Sequence, residues 1–282
     1  MEITMEELPD VQNDRPYHSS VIHRVGVDNV ELPFFLMLRD GSPGSYQVNA
    51  KTEMVCKLDK AVRGVSMSRF LRILQKYLRE PLKRTTLERI LKDFTYALDT
   101  PTASIKFEFK IPKVKKSPVS DNEFPQFYKC SFKSVYSKEK FKFYESVRVQ
   151  YSAYCPCSAA LCENGRFGYP HNQRAFADVL LETHPRAYVW LEDIIDLVEN
   201  AVHTVPYPIV KRGDEKYIAG IAKSYPQFVE DSIREISHRL SYDKNIIDWF
   251  VKCTHEESIH TSNAIAINWK GREGGFNETT YI

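Results

Sequence analysis

The chain predicts an α+β fold of two tandem ββααββ modules, each an antiparallel sheet with its helices on one side. Three observations lead there. Long runs rich in Val, Ile, Tyr and Phe alternate apolar and polar residues with period two, the mark of half-buried strands. Between pairs of such runs lie paired apolar stripes at helical spacing. The order of elements then repeats once, with no repeat at the level of residues. Antiparallel sheets of this kind bury one face under helices.

Residues 1–19 are polar and read as a loose N-terminal segment. The first module spans residues 20–137. Val21–Leu38 is strand-like, a turn follows at Gly41-Ser42-Pro43-Gly44, and Ser45–Leu58 forms the return strand. Phe70, Leu71, Leu74, Tyr77 and Leu78 share one helix face. Leu87, Ile90, Leu91, Phe94 and Leu98 share another, with Thr85 and Glu88 spaced as a capping box. In Ser104–Pro112, Ile105, Phe107 and Phe109 alternate with Lys106, Glu108 and Lys110. A basic loop at Val114–Pro118 leads to a further strand over Gln126–Tyr136.

The second module spans residues 138–282. Lys140–Tyr154 alternates as a long strand and Arg174–Glu182 reads as its partner. Trp190, Ile194, Leu197, Val198 and Ala201 form one helix face. Phe228, Val229, Ile233, Ile236 and Leu240 form the next, with Pro226 spaced as a first-turn proline. Ile246–Thr254 and Ser262–Trp269 close the sheet. A four-stranded sheet leaves unpaired edges, which favours joining with other copies into a homo-oligomer.

At 282 residues the chain is long enough for one large or two ordinary domains. A net charge of +2 is too small to argue for nucleic acid. No apolar run approaches the roughly 20 residues that cross a bilayer. The N-terminus is acidic and lacks the apolar core of a signal peptide. Six unevenly placed cysteines do not make a disulfide scaffold, and a reduced, cytoplasmic setting is expected.

Three of those cysteines, Cys155, Cys157 and Cys162, fall in Tyr154–Arg174, which also holds His171. Thiolate and imidazole suit a borderline-soft divalent cation. Cys155 and Cys157 lie two apart, so on a strand they point to one face, and Pro156 fits a strand end. One Cys-x-Cys and one His leave a ligand to come from elsewhere, or a position open to water, as catalytic sites do. An apolar cysteine pair beside an exposed loop histidine would give the same letters. Among the carboxylates, Glu215, Glu230, Glu256 and Glu257 stand near these motifs. Glu230 sits in the first turn of a predicted helix, where the helix dipole alone would favour it. A pocket glutamate can also accept two N–H bonds from a guanine or pterin edge. His255 and His260 are proton carriers by type, and Arg174, Lys211, Arg212 and Lys216 supply positive charge.

These pieces together resemble GTP cyclohydrolase I of type IB. The matching segments are CPCS (Cys155–Ser158), HNQR (His171–Arg174), YPIVKRGDEK (Tyr207–Lys216), FVED (Phe228–Asp231) and EESIH (Glu256–His260), in the family's order. The resemblance runs from about Val21 to Asn268. It implies the tunnelling fold, a homotetramer, and hydrolysis of GTP to 7,8-dihydroneopterin triphosphate and formate, the entry to folate synthesis. In that reaction a metal-activated water attacks guanine C8. The resemblance implies Cys155, His171 and Glu215 as ligands of Zn²⁺ or Mn²⁺, with Fe²⁺ a further option. It implies Cys155, Cys157 and His260 as catalytic residues, with Cys157 an alternative metal ligand, and Glu230 as the guanine anchor. Charge and position add Arg174 and Lys211 as candidates for the triphosphate. The chain departs from the family in three places: a longer loop before HNQR containing Cys162, Gly213 where the family has Pro, and Thr261-Ser262 where a second histidine often stands. The alternatives are a tunnelling-fold nitrile reductase, a related enzyme making a cyclic phosphate from GTP, and a non-catalytic purine- or pterin-binding protein with a structural metal.

Overall fold

The computed structural model describes residues 11–39, 46–162 and 168–280. Residues 1–10, the expected turn at Gly41–Gly44 and the 163–167 part of the long loop lie outside the described residues. Eight strands follow one another in chain order in an antiparallel sheet. They are β1 (Ile22–Leu36), β2 (Tyr46–Leu58), β3 (Thr102–Lys116), β4 (Glu123–Ser137), β5 (Lys140–Tyr154), β6 (Asn172–Thr183), β7 (Ile246–Glu256) and β8 (Ala264–Trp269). The helices are α1 (Met67–Gln75), α2 (Arg84–Ala97), α3 (Pro156–Leu161), α4 (Leu191–Val202), α5 (Arg212–Ser224) and α6 (Val229–Tyr242).

The chain forms two compact units. One comprises Met1–Phe109 with Phe132–Phe143, the other Lys110–Ser131 with Tyr144–Ile282. In the first, β1 and β2 pair from Ile22↔Leu58 to Leu36↔Tyr46. The predicted alternation on β2 holds, with Val48, Ala50, Met54, Cys56 and Leu58 all buried. Phe70 of α1 and Phe94 of α2 meet edge to face, ring centroids 5.2 Å apart. Both are fully buried, and each such side chain contributes about 1.5–3 kcal/mol.

The second unit holds all the candidate site residues. β5 pairs with β6, β6 with β7, and β7 with β8. Every second residue of β5 (Val147, Val149, Tyr151, Ala153) is buried, as are Ala175, Ala177, Val179 and Leu181 of β6. α6 packs on β7, β8 and α4, and Ile233, Ile236 and Leu240 supply its buried stripe. Three local expectations are corrected. α2 begins at Arg84, so Thr85 and Glu88 form no capping box, and the Thr86 hydroxyl instead donates to Pro81 O at 2.9 Å. Pro226 precedes α6 rather than opening it; the Phe228 N–H donates to the Asp231 carboxylate at 3.0 Å, and the helix starts at Val229. β5 stops at Tyr154, and Pro156 opens α3, so Cys155 and Cys157 do not share a strand face. Proline is pre-organised for the first helical position, where its missing N–H costs nothing.

The C-terminal segment is tied down by one buried carboxylate. Asp248 accepts the N–H groups of Trp249 (3.0 Å), Gly271 (3.0 Å) and Phe276 (2.8 Å). A Cβ at Gly275 would lie 1.9 Å from its Oδ2. Gly275→Ala is therefore expected to destabilise the protein by about 2 kcal/mol, read as a lower urea midpoint. An unchanged midpoint would show that the segment does not hold this carboxylate.

Candidate active site

The end of β5 and the start of β6 are joined by backbone: the Cys155 N–H donates to His171 O at 3.2 Å. The His171 N–H in turn donates to Ser158 Oγ of α3 at 3.2 Å. The Gln227 N–H donates to Tyr154 O at 3.0 Å, which brings the start of α6 beside the same strand end. These bonds assemble a cavity of about 660 Å³, a volume suited to a ligand of nucleotide size. Cys155, Cys157, His171, Glu230 and His260 all line it. Cys157, Glu230 and His260 are exposed, Cys155 and His171 half-buried. Ser258 Oγ lies 3.4 Å from His171 Nδ1.

The family profile described as type I GTP cyclohydrolase FolE2 matches residues 8–266. The chain belongs to the FolE2 family of GTP cyclohydrolases. It is 35% identical over 260 residues to GTP cyclohydrolase FolE2 of Thermosipho africanus, covering 92% of this chain and 96% of that protein. To FolE2 of Dictyoglomus turgidum it is 32% identical over 264 residues, covering 94% and 98%. Among solved structures it is similar to uricase from Arthrobacter globiformis, with a TM-score of 0.55 at 8% identity over 91% of this chain and 96% of that one. Urate oxidase from Bacillus subtilis gives 0.51 at 11%, over 89% and 100%. These likenesses show the tunnelling fold. FolE2 enzymes convert GTP toward dihydroneopterin triphosphate for folate biosynthesis, so GTP is the substrate the family implies. No helix among the described residues is long and apolar enough to cross a membrane.

Three candidate residues stand outside the FolE2 cavity lining. Glu215 is exposed in the first turn of α5, Lys211 is exposed just before that helix, and Arg174 is exposed on β6. Among the described residues, no three His, Cys, Asp or Glu side chains of one chain converge as a metal set. The two soft donors that share the cavity, Cys155 and His171, match in chemistry what a divalent cation takes.

The start of α5 is held by its neighbour Asp214, which is fully buried. Its carboxylate accepts the Val119 and Ser120 N–H groups at 2.8 and 2.9 Å, the Ser120 hydroxyl at 2.6 Å and the Lys211 N–H at 2.7 Å. Burial alone would raise its pKa, but these four donors hold the carboxyl well below the usual range.

Sequence reasoning gave no role to Gln173 and took His255 only as a proton carrier by type. Gln173 donates from Nε2 to Glu257 at 2.9 Å, and its buried Oε1 has no partner among the described residues. His255 is 1% exposed and bonded to Tyr151. Burial pushes its pKa down to about 4, opposed by the charge of Glu230. The native imidazole is thus neutral where the unfolded one, near 6.5, binds a proton. His255 therefore contributes stability that is full above about pH 6.5 and is lost as pH falls toward 4, on the order of 3 kcal/mol. Urea midpoints measured between pH 7.5 and pH 5 are expected to fall. In His255→Gln that fall should shrink, and an equal fall in both proteins would assign the effect to other groups.

Proposed function

We propose that this cavity carries out the cyclohydrolase reaction, taking GTP and water to 7,8-dihydroneopterin triphosphate and formate. The observation that supports this reading is that Cys155, Cys157, His171, Glu230 and His260 line one cavity. Cys155 and His171 would hold the metal, Zn²⁺ or Mn²⁺, with Glu215 as third ligand. Glu215 stands on α5, a helix with only Asp214 and Ala222 buried, and we assign it to the metal in an assembled homotetramer. The bound cation supplies a Lewis acid that makes water nucleophilic near neutral pH.

This chain's own residues do the rest. The Glu230 carboxylate accepts the N1–H and exocyclic N–H bonds of guanine, a charge-assisted pair that fixes the ring. Holding the six-membered ring leaves the imidazole ring, with C8, to the Cys155 and His171 side, which is catalysis by positioning. His260 and Cys157 deliver and remove the protons as the imidazole ring opens and formate departs. Arg174 and Lys211 neutralise the triphosphate. The protein works in the cytoplasm, where its thiols stay reduced.

An anaerobic assay with GTP tests the reading, with Mn²⁺ or Zn²⁺ added back after chelation. Formate and the fluorescence of oxidised neopterin should appear together and only with metal. Formate without a triphosphate-bearing pterin would move the product to a cyclic phosphate. Binding of GTP with neither product under any metal would leave a binding protein.

A further inference from the structure

Beneath Glu230 the cavity has a buried polar floor. His255, near the end of β7, lines the cavity although it is only 1% exposed. Its Nε2 lies 2.9 Å from the Tyr151 hydroxyl, and the two rings meet edge on with centroids 5.6 Å apart. Tyr151 is itself 1% exposed. Ser232 and Cys253 are the other polar side chains acting on its hydroxyl. Ser232 lies on α6 two residues beyond Glu230, and its hydroxyl donates to Gln227 Oε1 at 3.4 Å. Gln227 also lines the cavity. The helix that carries Glu230 and the strand that carries His255 are therefore joined by one polar network.

That network assigns the histidine's tautomer. A neutral imidazole has one N–H donor and one acceptor nitrogen. The Tyr151 hydroxyl keeps its proton, because burial drives its pKa far upward. The proton has three acceptors within reach, the imidazole nitrogen at 2.9 Å, the Ser232 oxygen and the Cys253 sulfur, and of these the imidazole nitrogen is the strongest base and sulfur the weakest acceptor. Tyr151 thus donates to Nε2, and Nδ1 carries the hydrogen. No hydrogen bond from Nδ1 to a protein group is formed among the described residues, so it is the donor left to the cavity.

A purine whose N1–H and 2-amino group are taken by a carboxylate presents its 6-oxo group on the same edge. That oxygen is an acceptor and wants a donor beside the carboxylate. We propose that His255 is a specificity-determining residue that donates from Nδ1 to the 6-oxo group of the purine held by Glu230. The inference rests on the reading of Glu230 as the guanine anchor. A 6-amino purine would present a donor to this donor and would be refused, since an unpaired buried polar group is costly.

The test is equilibrium binding of 7-deaza-GTP and its 6-thio analogue to the full-length protein. Carbon at position 7 blocks ring opening, and sulfur at position 6 is a poor acceptor. The wild-type protein should prefer the oxo ligand by roughly tenfold, the worth of one good hydrogen bond. His255→Gln keeps an amide near the Tyr151 hydroxyl but loses the Nδ1 donor, and should erase the preference. His255→Asn places an amide N–H near the Nδ1 position and should restore it, an outcome a purely structural role would not produce. A preference that persists in His255→Gln overturns the proposal, as does a wild-type protein that binds both ligands alike. A wild-type protein that binds neither ligand overturns the Glu230 reading as well.

Discussion

Cys155→Ala is expected to lower turnover of GTP by roughly a thousandfold or more, because several kcal/mol of barrier lowering depend on the cation. Metal content of the purified variant should fall in step. Cys155 caps the first turn of α3 and its N–H binds His171 O. The backbone bond survives the substitution, so the second donor, His171, stays in place, and the loss reports the thiolate alone. Cys157→Ser is the informative partner. It is the second residue of the same short helix, is exposed and lines the cavity. As a proton carrier it should lose turnover while keeping its metal. Metal retained in Cys155→Ala would remove that residue from the ligand set, and metal lost in Cys157→Ser would place that residue in it.

The second large effect is at Glu230. Two charge-assisted hydrogen bonds to the guanine edge are worth about 3 kcal/mol or more together. Glu230→Ala should therefore weaken GTP binding on the order of a hundredfold. Metal content should not change, because Glu230 comes from α6 and the two cavity donors come from the β5–β6 side. Glu235→Ala is the matched control. It lies on the same helix, is paired with Arg239 at 2.7 Å and does not line the cavity. Titration of both variants with GTP decides the matter: equal affinities would end the anchoring role of Glu230.

The strands were legible because alternation with period two is a direct print of one buried face. α1, α2, α4 and α6 were legible for the same kind of reason, each carrying a long apolar stripe. α5 was not, because its sequence RGDEKYIAGIAKS buries only Asp214 and Ala222, so no stripe exists to be read. α3 was missed because six residues are too few to show a period. Its one signal was Pro156, which fits a strand end and a helix start equally well.

The site shows the same division. Cys155, Cys157, His171, Glu230 and His260 were found through motif chemistry and share the cavity. Arg174, Lys211 and Glu215 were found by charge and motif too, yet they lie outside its lining in a single chain. Linear proximity says nothing about which side of a strand or helix turn a residue occupies. Gln173 escaped, and His255 was read only as a proton carrier, because their settings depend on partners far along the chain, Glu257 and Tyr151. Tertiary pairing of that kind leaves no local mark.

The bond from Cys155 N–H to His171 O has a bearing on how this chain can vary. It pins both ends of the excursion between β5 and β6, so the spacing of the two donors is set by the sheet and not by the number of residues in between. Closing a longer excursion adds only about 0.6 kcal/mol for each doubling of its length. Insertions placed after α3, clear of Cys157 and Ser158, are therefore expected to be close to neutral for the reaction, and descendants of this chain can acquire new surface there without disturbing the two side chains at its base.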